Sequence, residues 1–381
     1  MSARFDAAVV GAGLAGSAAA AILASAGRRV LLLEQEIFPR HKVCGEYLSP
    51  SAQAPLSRLG LLAEIDGLGA EQIREGSIHV PGTPEVSFRL PRGARGVSRY
   101  RLDALLASHA GRTGAEVRFA ARVTQVEGDP GDFRFRVKHG GGDEEISARA
   151  IIAAHGRWNA LDKDEAQAAA HSPRRHLAWS RDYLADESLA GRVRLYLFPG
   201  GYCGLSRVEG GIVHLAGVIA ERERRRIPPG WEAVVAHAAA ANADLSRDLS
   251  RLHPGPGGFL GTGPVLFTAM PPVQRGMLMA GDAAGMLDPF SGEGQSSALS
   301  GGILAAETIE AFLVGAIRPE RLADAWTAVW RGSFGTRFRA GALLRRLMLR
   351  PGIASAARRL AGESVVRLAL RTMLGPSLTS D

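Results

Sequence analysis

A chain of 381 residues is long enough for two domains that share an interface and enclose a cofactor. Its composition, 46% hydrophobic with 47 glycines, suits a packed α/β protein rich in tight turns and excludes a disordered chain. Two cysteines, Cys44 and Cys203, exclude a disulfide framework and a four-ligand zinc site, so no metal is expected, and the net charge of +8 comes from arginine, with Lys42, Lys138 and Lys163 the only lysines.

No recognition motif accompanies that charge, so no nucleic-acid partner is expected. The first strand is not preceded by a basic segment and an apolar stretch, which together with the two cysteines predicts a cytoplasmic protein. The run Ala18 to Ala24 is broken by Gly27-Arg28-Arg29 and is too short to span a membrane.

In chain order, Ala7-Ala8-Val9-Val10 predicts a strand that meets Gly11-Ala12-Gly13-Leu14-Ala15-Gly16, and small residues from Ser17 to Ala26 predict a helix behind it. In such a unit the first glycine permits the tight turn, the second lets a pyrophosphate approach, and the third lets helix and strand pack closely. Amides at the helix start then hold phosphate. This glycine spacing alone also describes surface turns. A second strand, Arg29 to Leu33, followed by Glu34-Gln35 about twenty residues on, supports the dinucleotide reading, because an acid there accepts hydrogen bonds from the adenosine ribose.

Further along lie Phe38-Pro39-Arg40-His41-Lys42-Val43-Cys44-Gly45-Glu46 and an amphipathic helix from Arg99, whose Arg99 and Asp103 would by themselves read as a helix-surface salt bridge. Val117 to Phe119, Val123 to Val126 and Phe133 to Val137 alternate apolar and polar residues and predict a small meander, with His139 to Asp143 as a turn. Later strands are expected at Val193 to Phe198 and Ile212 to Ile219, with a helix at Trp231 to Ala241. The segment from Gly276 to Ala280 predicts a strand that delivers Asp282 to its end, where a carboxylate can bond a polyol. The turn Pro289 to Gly294 opens a helix, Ser296 to Leu313, and Phe338 to Leu374 predicts basic amphipathic helices.

Four segments carry a resemblance. Arg99 to Leu106 resembles the RxxxD segment of flavoprotein hydroxylases and geranylgeranyl reductases. Gly276 to Gln295 looks like the GD motif of FAD-dependent monooxygenases, in the version ending Gly292-Glu293-Gly294 that resembles the geranylgeranyl reductase group. The loop from Phe38 to Glu46 resembles the one that passes the flavin, and Leu195 to Leu205, with Phe198-Pro199, is similar to a segment that lines the substrate cavity. The resemblance covers the chain to about residue 315.

It implies FAD, and an α/β fold with a Rossmann-like FAD-binding domain of glutathione reductase type, an interleaved mixed-sheet substrate domain and a helical C-terminal region. The expected boundaries are 1–72, 91–161 and 262–315 for the FAD-binding domain, 73–90 and 162–261 for the substrate domain, and 316–381 for the helical region. Cofactor contacts are implied for Gly11, Gly13, Leu14, Ala15, Gly16, Glu34, Gln35, Lys42, Cys44, Gly45, Arg99, Val123, Asp282, Gly292, Gly294 and Gln295. The catalytic candidates are Cys44, Glu46, Tyr202 and Glu293. For Tyr202, a hydrogen bond to substrate and one to a backbone carbonyl are both open.

One departure matters: the family's Asp-Gly pair is His155-Gly156 here. It leaves NAD(P)H and a separate flavin or electron donor both open as the reductant. The leading expectation is a monooxygenase that hydroxylates an apolar aromatic or polyketide-like metabolite. The alternative is geranylgeranyl reductase-like reduction of carbon-carbon double bonds, with a flavin-dependent halogenase and a non-catalytic binder of prenylated proteins behind it. The expected partner is a small hydrophobic substrate of a monomer, with the basic C-terminal helices open to either a membrane surface or a carrier protein.

Overall fold

A computed structural model describes residues 4–157, 175–184 and 187–348. The expected segments 162–174 and 185–186 of the substrate domain, and the tail from 349 onward, lie outside the described residues.

The apolar run near the start forms the strand Arg4–Val10, flanked in parallel by Val30–Leu33 and by the end of Gly142–Ala153. A strand with neighbours on both edges and helices over the sheet has no polar face to offer, so Ala7, Ala8 and Val9 are fully buried. Glu116–Arg118 extends this sheet on one side, Met277–Met279 and Val273–Gln274 on the other. The meander Arg122–Asp129 and Asp132–His139 runs antiparallel into Gly142–Ala153, and Phe133, Phe135 and Val137 point inward at the predicted period of two.

Two helices built from small residues, Leu14–Ser25 and Gly294–Leu313, pack together beside this sheet. Their approach is close enough that a Cβ at Gly302 would lie 2.0 Å from the Ala15 carbonyl oxygen. The first begins at Leu14 and the second at Gly294, earlier than the predicted Ser17 and Ser296. Pro319–Met348 lies against Gly294–Leu313 and buries Trp326, Trp330 and Phe334. Among the described residues no helix is long and apolar enough to cross a membrane.

Among the described residues the second sheet has nine strands. Its predicted members appear as Arg192–Phe198 and Ile212–Ala220, and between them lies Gly201–Arg207, a strand whose two glycines hid it from a pattern of alternation. The sheet also takes in Tyr47–Leu48 and the hairpin Glu71–His79 and Val86–Gly96, a wider span than 73–90. A break in register between Ile73 and Glu75 interrupts the periodicity that would have marked the full hairpin. The helix Trp231–Ala241 covers the outer face, and an apolar layer including Leu197, Val218, Phe267 and Phe290 covers the inner one.

Candidate functional site

At the end of the first strand the three glycines of the turn meet three different constraints. Gly11 has φ +101°, and a Cβ there would lie 2.5 Å from the Ala154 carbonyl oxygen. Gly16 abuts the Gly11 carbonyl at 1.8 Å from such a Cβ, so it fixes helix against strand. Gly13 instead faces open space whose nearest atom is Nη2 of Arg99 at 3.9 Å. It precedes the helix Leu14–Ser25, so the amides of Leu14, Ala15 and Gly16 lie at the helix end that would hold a phosphate.

Glu34 is buried, and its carboxylate accepts the Ala12 amide at 2.9 Å and the Glu36 amide at 3.1 Å. Each carboxylate oxygen has a second acceptor position for ribose hydroxyls. Gln35 is exposed. The Ala121 amide donates to the Glu34 carbonyl at 2.8 Å, which brings Val123, buried in the meander, to the same side.

Asp282 sits in the turn Gly281–Ala284, directly after the short strand Met277–Met279. The two motifs, far apart in sequence, are neighbours: a Cβ at Gly281 would lie 3.0 Å from Cβ of Ala15. Cations gather around this junction. Lys42 lies near Arg40, Arg99, Asp103 and Asp282, and burial followed by the field of Arg99 pushes its ammonium below the ordinary lysine range. Arg157 also feels Asp282, and its pKa is lowered by burial.

Arg99 is not on a helix surface, as its bare pattern suggested. Its guanidinium makes a two-point ion pair with Asp103 at 2.7 Å through each nitrogen, and both side chains are buried. The register that places arginine and aspartate one turn apart is the one read from the sequence, but packing of Arg99–Arg112 on Leu14–Ser25 turns that face inward.

Among the described residues, the cations Arg40, Lys42 and Arg99 thus share a cleft with the carboxylates Asp103 and Asp282. Buried charge without a counter-charge is costly, and a pyrophosphate would supply two negative charges where the excess lies. Open space before Gly13, helix amides, excess positive charge and an acid at each end fit a flavin dinucleotide.

On the far side of the cleft, Gly292 adopts the left-handed conformation at φ +66° and reverses the chain into the helix Gly294–Leu313. A Cβ at Gly294 or at the exposed Gly45 would meet nothing within 4 Å. Gln295 donates to Sγ of Cys44 at 3.4 Å and to the Tyr47 carbonyl at 3.3 Å, which ties the helix start to the loop before it. Glu293 is buried among the hydroxyls of Ser51 and Ser296, and burial raises its pKa.

Tyr202, on the strand Gly201–Arg207, donates to Oδ1 of Asp288 at 2.7 Å, a carboxylate rather than the backbone carbonyl considered from sequence. Asp288 also accepts the Phe290 amide at 3.1 Å, so this pair links the substrate sheet to the turn before the long helix. Glu46 likewise turns away from the open face of Gly45: it accepts the Arg99 amide at 3.0 Å and faces His214 at 3.4 Å. The sequence reading missed Asp288, Tyr47 and His214. An aspartate before proline and a lone histidine within the apolar strand Ile212–Ala220 were the available signals.

His155 lies two residues past the strand Gly142–Ala153, with both ring nitrogens shielded from solvent and, among the described residues, without a well-formed hydrogen bond. Burial lowers its pKa, and the Gly156 backbone is its polar neighbour. Replacing the aspartate removes a negative charge from a cleft that already carries excess positive charge.

Residues 4–179 match the model of an FAD binding domain. The chain is 30% identical to the menaquinone reductase of Mycolicibacterium smegmatis, over 81% of this chain and 76% of that protein. It is 24% identical to digeranylgeranylglycerophospholipid reductase 1 of Methanococcoides burtonii, over 88% of this chain and 81% of the relative. The flavin-dependent brominase Bmp2 shares the fold, with a TM-score of 0.82 and 20% identity over 99% of this chain and 94% of that one. With a dinucleotide cleft, the excess positive charge to fill it and relatives along most of its length, the chain belongs to the geranylgeranyl reductase and flavoprotein monooxygenase superfamily and is an FAD-dependent oxidoreductase.

Proposed function

We propose that this oxidoreductase reduces a carbon-carbon double bond of an isoprenoid-type lipid. The observation that carries the reading is the apolar inner face of the second sheet. Leu197, Val218, Val265, Phe267 and Phe290 are buried there, with Val43, Tyr47 and Met286 packed on them, and the Tyr202–Asp288 pair is a polar element within that wall. Such a surface accepts a hydrocarbon chain without leaving its own polar groups unpaired. The names of the Mycolicibacterium and Methanococcoides relatives support the same substrate class.

When bound, FAD supplies hydride transfer. The chain supplies the dry wall and a proton held ready: burial raises the Glu293 carboxyl, so this group keeps its proton to higher pH than an exposed glutamate. In this proposal the reductant is NAD(P)H or a separate electron donor. Lipid substrate reaches the enzyme from a membrane surface, where the basic C-terminal segment is proposed to dock.

Hydroxylation of an apolar aromatic is the second reading, favoured by the same water-poor wall, which suits oxygen transfer as well. Lys42 faces Asp282 and Arg99 in the nucleotide cleft, which supports either of these readings over halogenation through that lysine. The experiment is to reduce the bound flavin without oxygen and add a polyprenyl lipid. Flavin reoxidation with a lipid gain of two hydrogens is the expected result. No reaction with the lipid, but addition of one oxygen atom to an aromatic compound once air is admitted, would establish the second reading instead.

A further inference from the structure

We infer that His214 is a positioning residue for the cofactor cleft: as an imidazolium on the substrate sheet, it fastens the Cys44-Gly45-Glu46 turn that lines the flavin side. Nε2 of His214 lies 2.7 Å from the Cys44 carbonyl oxygen, and Nδ1 lies 2.6 Å from Oδ1 of Asp182 and 3.4 Å from Oε2 of Glu46. A carbonyl oxygen only accepts, and so does an ionised carboxylate, so both ring nitrogens must donate. The ring is 4% exposed, which removes water as an alternative partner.

The turn it holds is one that needs holding. Glu46 has φ +50°, a left-handed conformation that a residue with a Cβ keeps only when its surroundings impose it. The impositions are visible: the Val97 amide donates to the Glu46 carbonyl at 3.1 Å, the Arg99 amide to its side chain, and His214 faces both Glu46 and Cys44. On its other side the same turn presents Cys44 to Gln295 and Gly45 to open space, two residues after Lys42 reaches toward Asp282. His214 therefore holds the segment from the side opposite the cofactor, and its position on Ile212–Ala220 couples the substrate sheet to the cleft.

The charged groups facing it are Asp182 from His176–Leu184 and Glu46 from the turn, with Glu209 acting on Glu46 from the neighbouring Glu209–Gly211. Burial works against the imidazolium, but these two carboxylates and the Cys44 carbonyl more than offset it, and the pKa is pushed up to about 9. The bond to Cys44 is accordingly present throughout the neutral range.

The test uses His214→Ala and His214→Gln in the full chain and reads two quantities besides turnover. One is FAD affinity; the other is the rate at which Cys44 reacts with a thiol reagent after FAD is removed, followed by peptide mass so that buried Cys203 serves as an internal control. We expect His214→Ala to weaken FAD binding about tenfold and to speed Cys44 labelling about tenfold, the size expected for loss of a charge-assisted hydrogen bond. His214→Gln, which keeps a donor within reach of the Cys44 carbonyl, should recover part of both. Wild-type labelling and wild-type FAD affinity in both variants, with only the melting temperature lowered, would overturn the proposal and leave His214 as a sheet contact. If His214→Ala does not fold, the glutamine variant carries the test, and unchanged values there overturn it. A stoichiometric divalent ion in the wild-type protein that His214→Gln releases would also overturn it, because Glu46, Asp182 and His214 would then be ligands. Neither readout depends on which reaction the enzyme performs.

Discussion

The two sheets treat buried charge in opposite ways. In the substrate sheet, charges come in matched sets: Arg194 with Asp248 at 2.8 Å, Arg175 with Glu221 at 2.6 Å, and His79 between Ser77 at 2.8 Å and Asp244 at 3.1 Å. In the nucleotide cleft, among the described residues, Arg40, Lys42 and Arg99 outnumber Asp103 and Asp282. A satisfied set specifies packing and asks for nothing further, whereas an excess of one sign is stable only when a ligand completes it. The contrast separates the half whose cleft fits a dinucleotide from the second sheet, and it can be broken by substitutions on either side.

The largest effect is expected at the turn itself. Gly16→Val places a side chain where even a Cβ would be 1.8 Å from the Gly11 carbonyl, so the purified protein should lack the yellow of bound flavin. An absorbance spectrum checks this, and a fully loaded yellow variant would show that the helix start is not where FAD is held.

Next is the buried pair inside the cleft. Asp103→Ala leaves Arg99 buried without its partner and should cost about 3–5 kcal/mol in urea unfolding. A cost below about 1 kcal/mol would mean the guanidinium finds water, as an exposed pair would allow.

The matched side predicts a pH dependence. For His214 the folded pKa lies above its ordinary value, so its stabilisation is complete below about pH 6.5 and is lost as the pH rises through about 9. Wild-type stability should therefore fall by about 3 kcal/mol relative to His214→Gln across that window, measured by denaturant titration at several pH values. Parallel pH profiles for the two proteins would argue against an imidazolium there.

A smaller change should follow Asp282→Asn. It removes one of the two acids among the cations but leaves a hydrogen-bonding side chain of the same shape, so FAD affinity should fall about tenfold while the unfolding midpoint without FAD barely moves. Fluorescence quenching of free flavin measures the first quantity and denaturation of the flavin-free protein the second. The smallest effect is Tyr202→Phe. Asp288 keeps the Phe290 amide, so about 1 kcal/mol of stability is at stake, and calorimetry resolves it.

Much of the cleft was legible before any fold was known, for a local reason. The glycine turn, Glu34, the Arg99 and Asp103 register and the Asp282 turn are set by backbone conformation and helical repeat over a few residues, and the sequence displays both. The strands Arg192–Phe198 and Ile212–Ala220 and the helix Trp231–Ala241 followed from periodicity. Gly201–Arg207 did not, because two glycines erase alternation, and neither did the full hairpin to Gly96, where a register break does the same.

By itself, then, the sequence determined a strand, turn and helix of the kind that fits a dinucleotide, the acids placed around that turn, and an α/β chain with enough apolar residues for a second layer. Tertiary structure alone decided that Arg99 is buried, that Glu46 faces His214 rather than the open cleft, and that Tyr202 meets Asp288. The reason is range: Tyr202 and Asp288 lie 86 positions apart and His214 lies 170 from Cys44, and which side chains face one another across two sheets depends on register and packing that no short segment encodes.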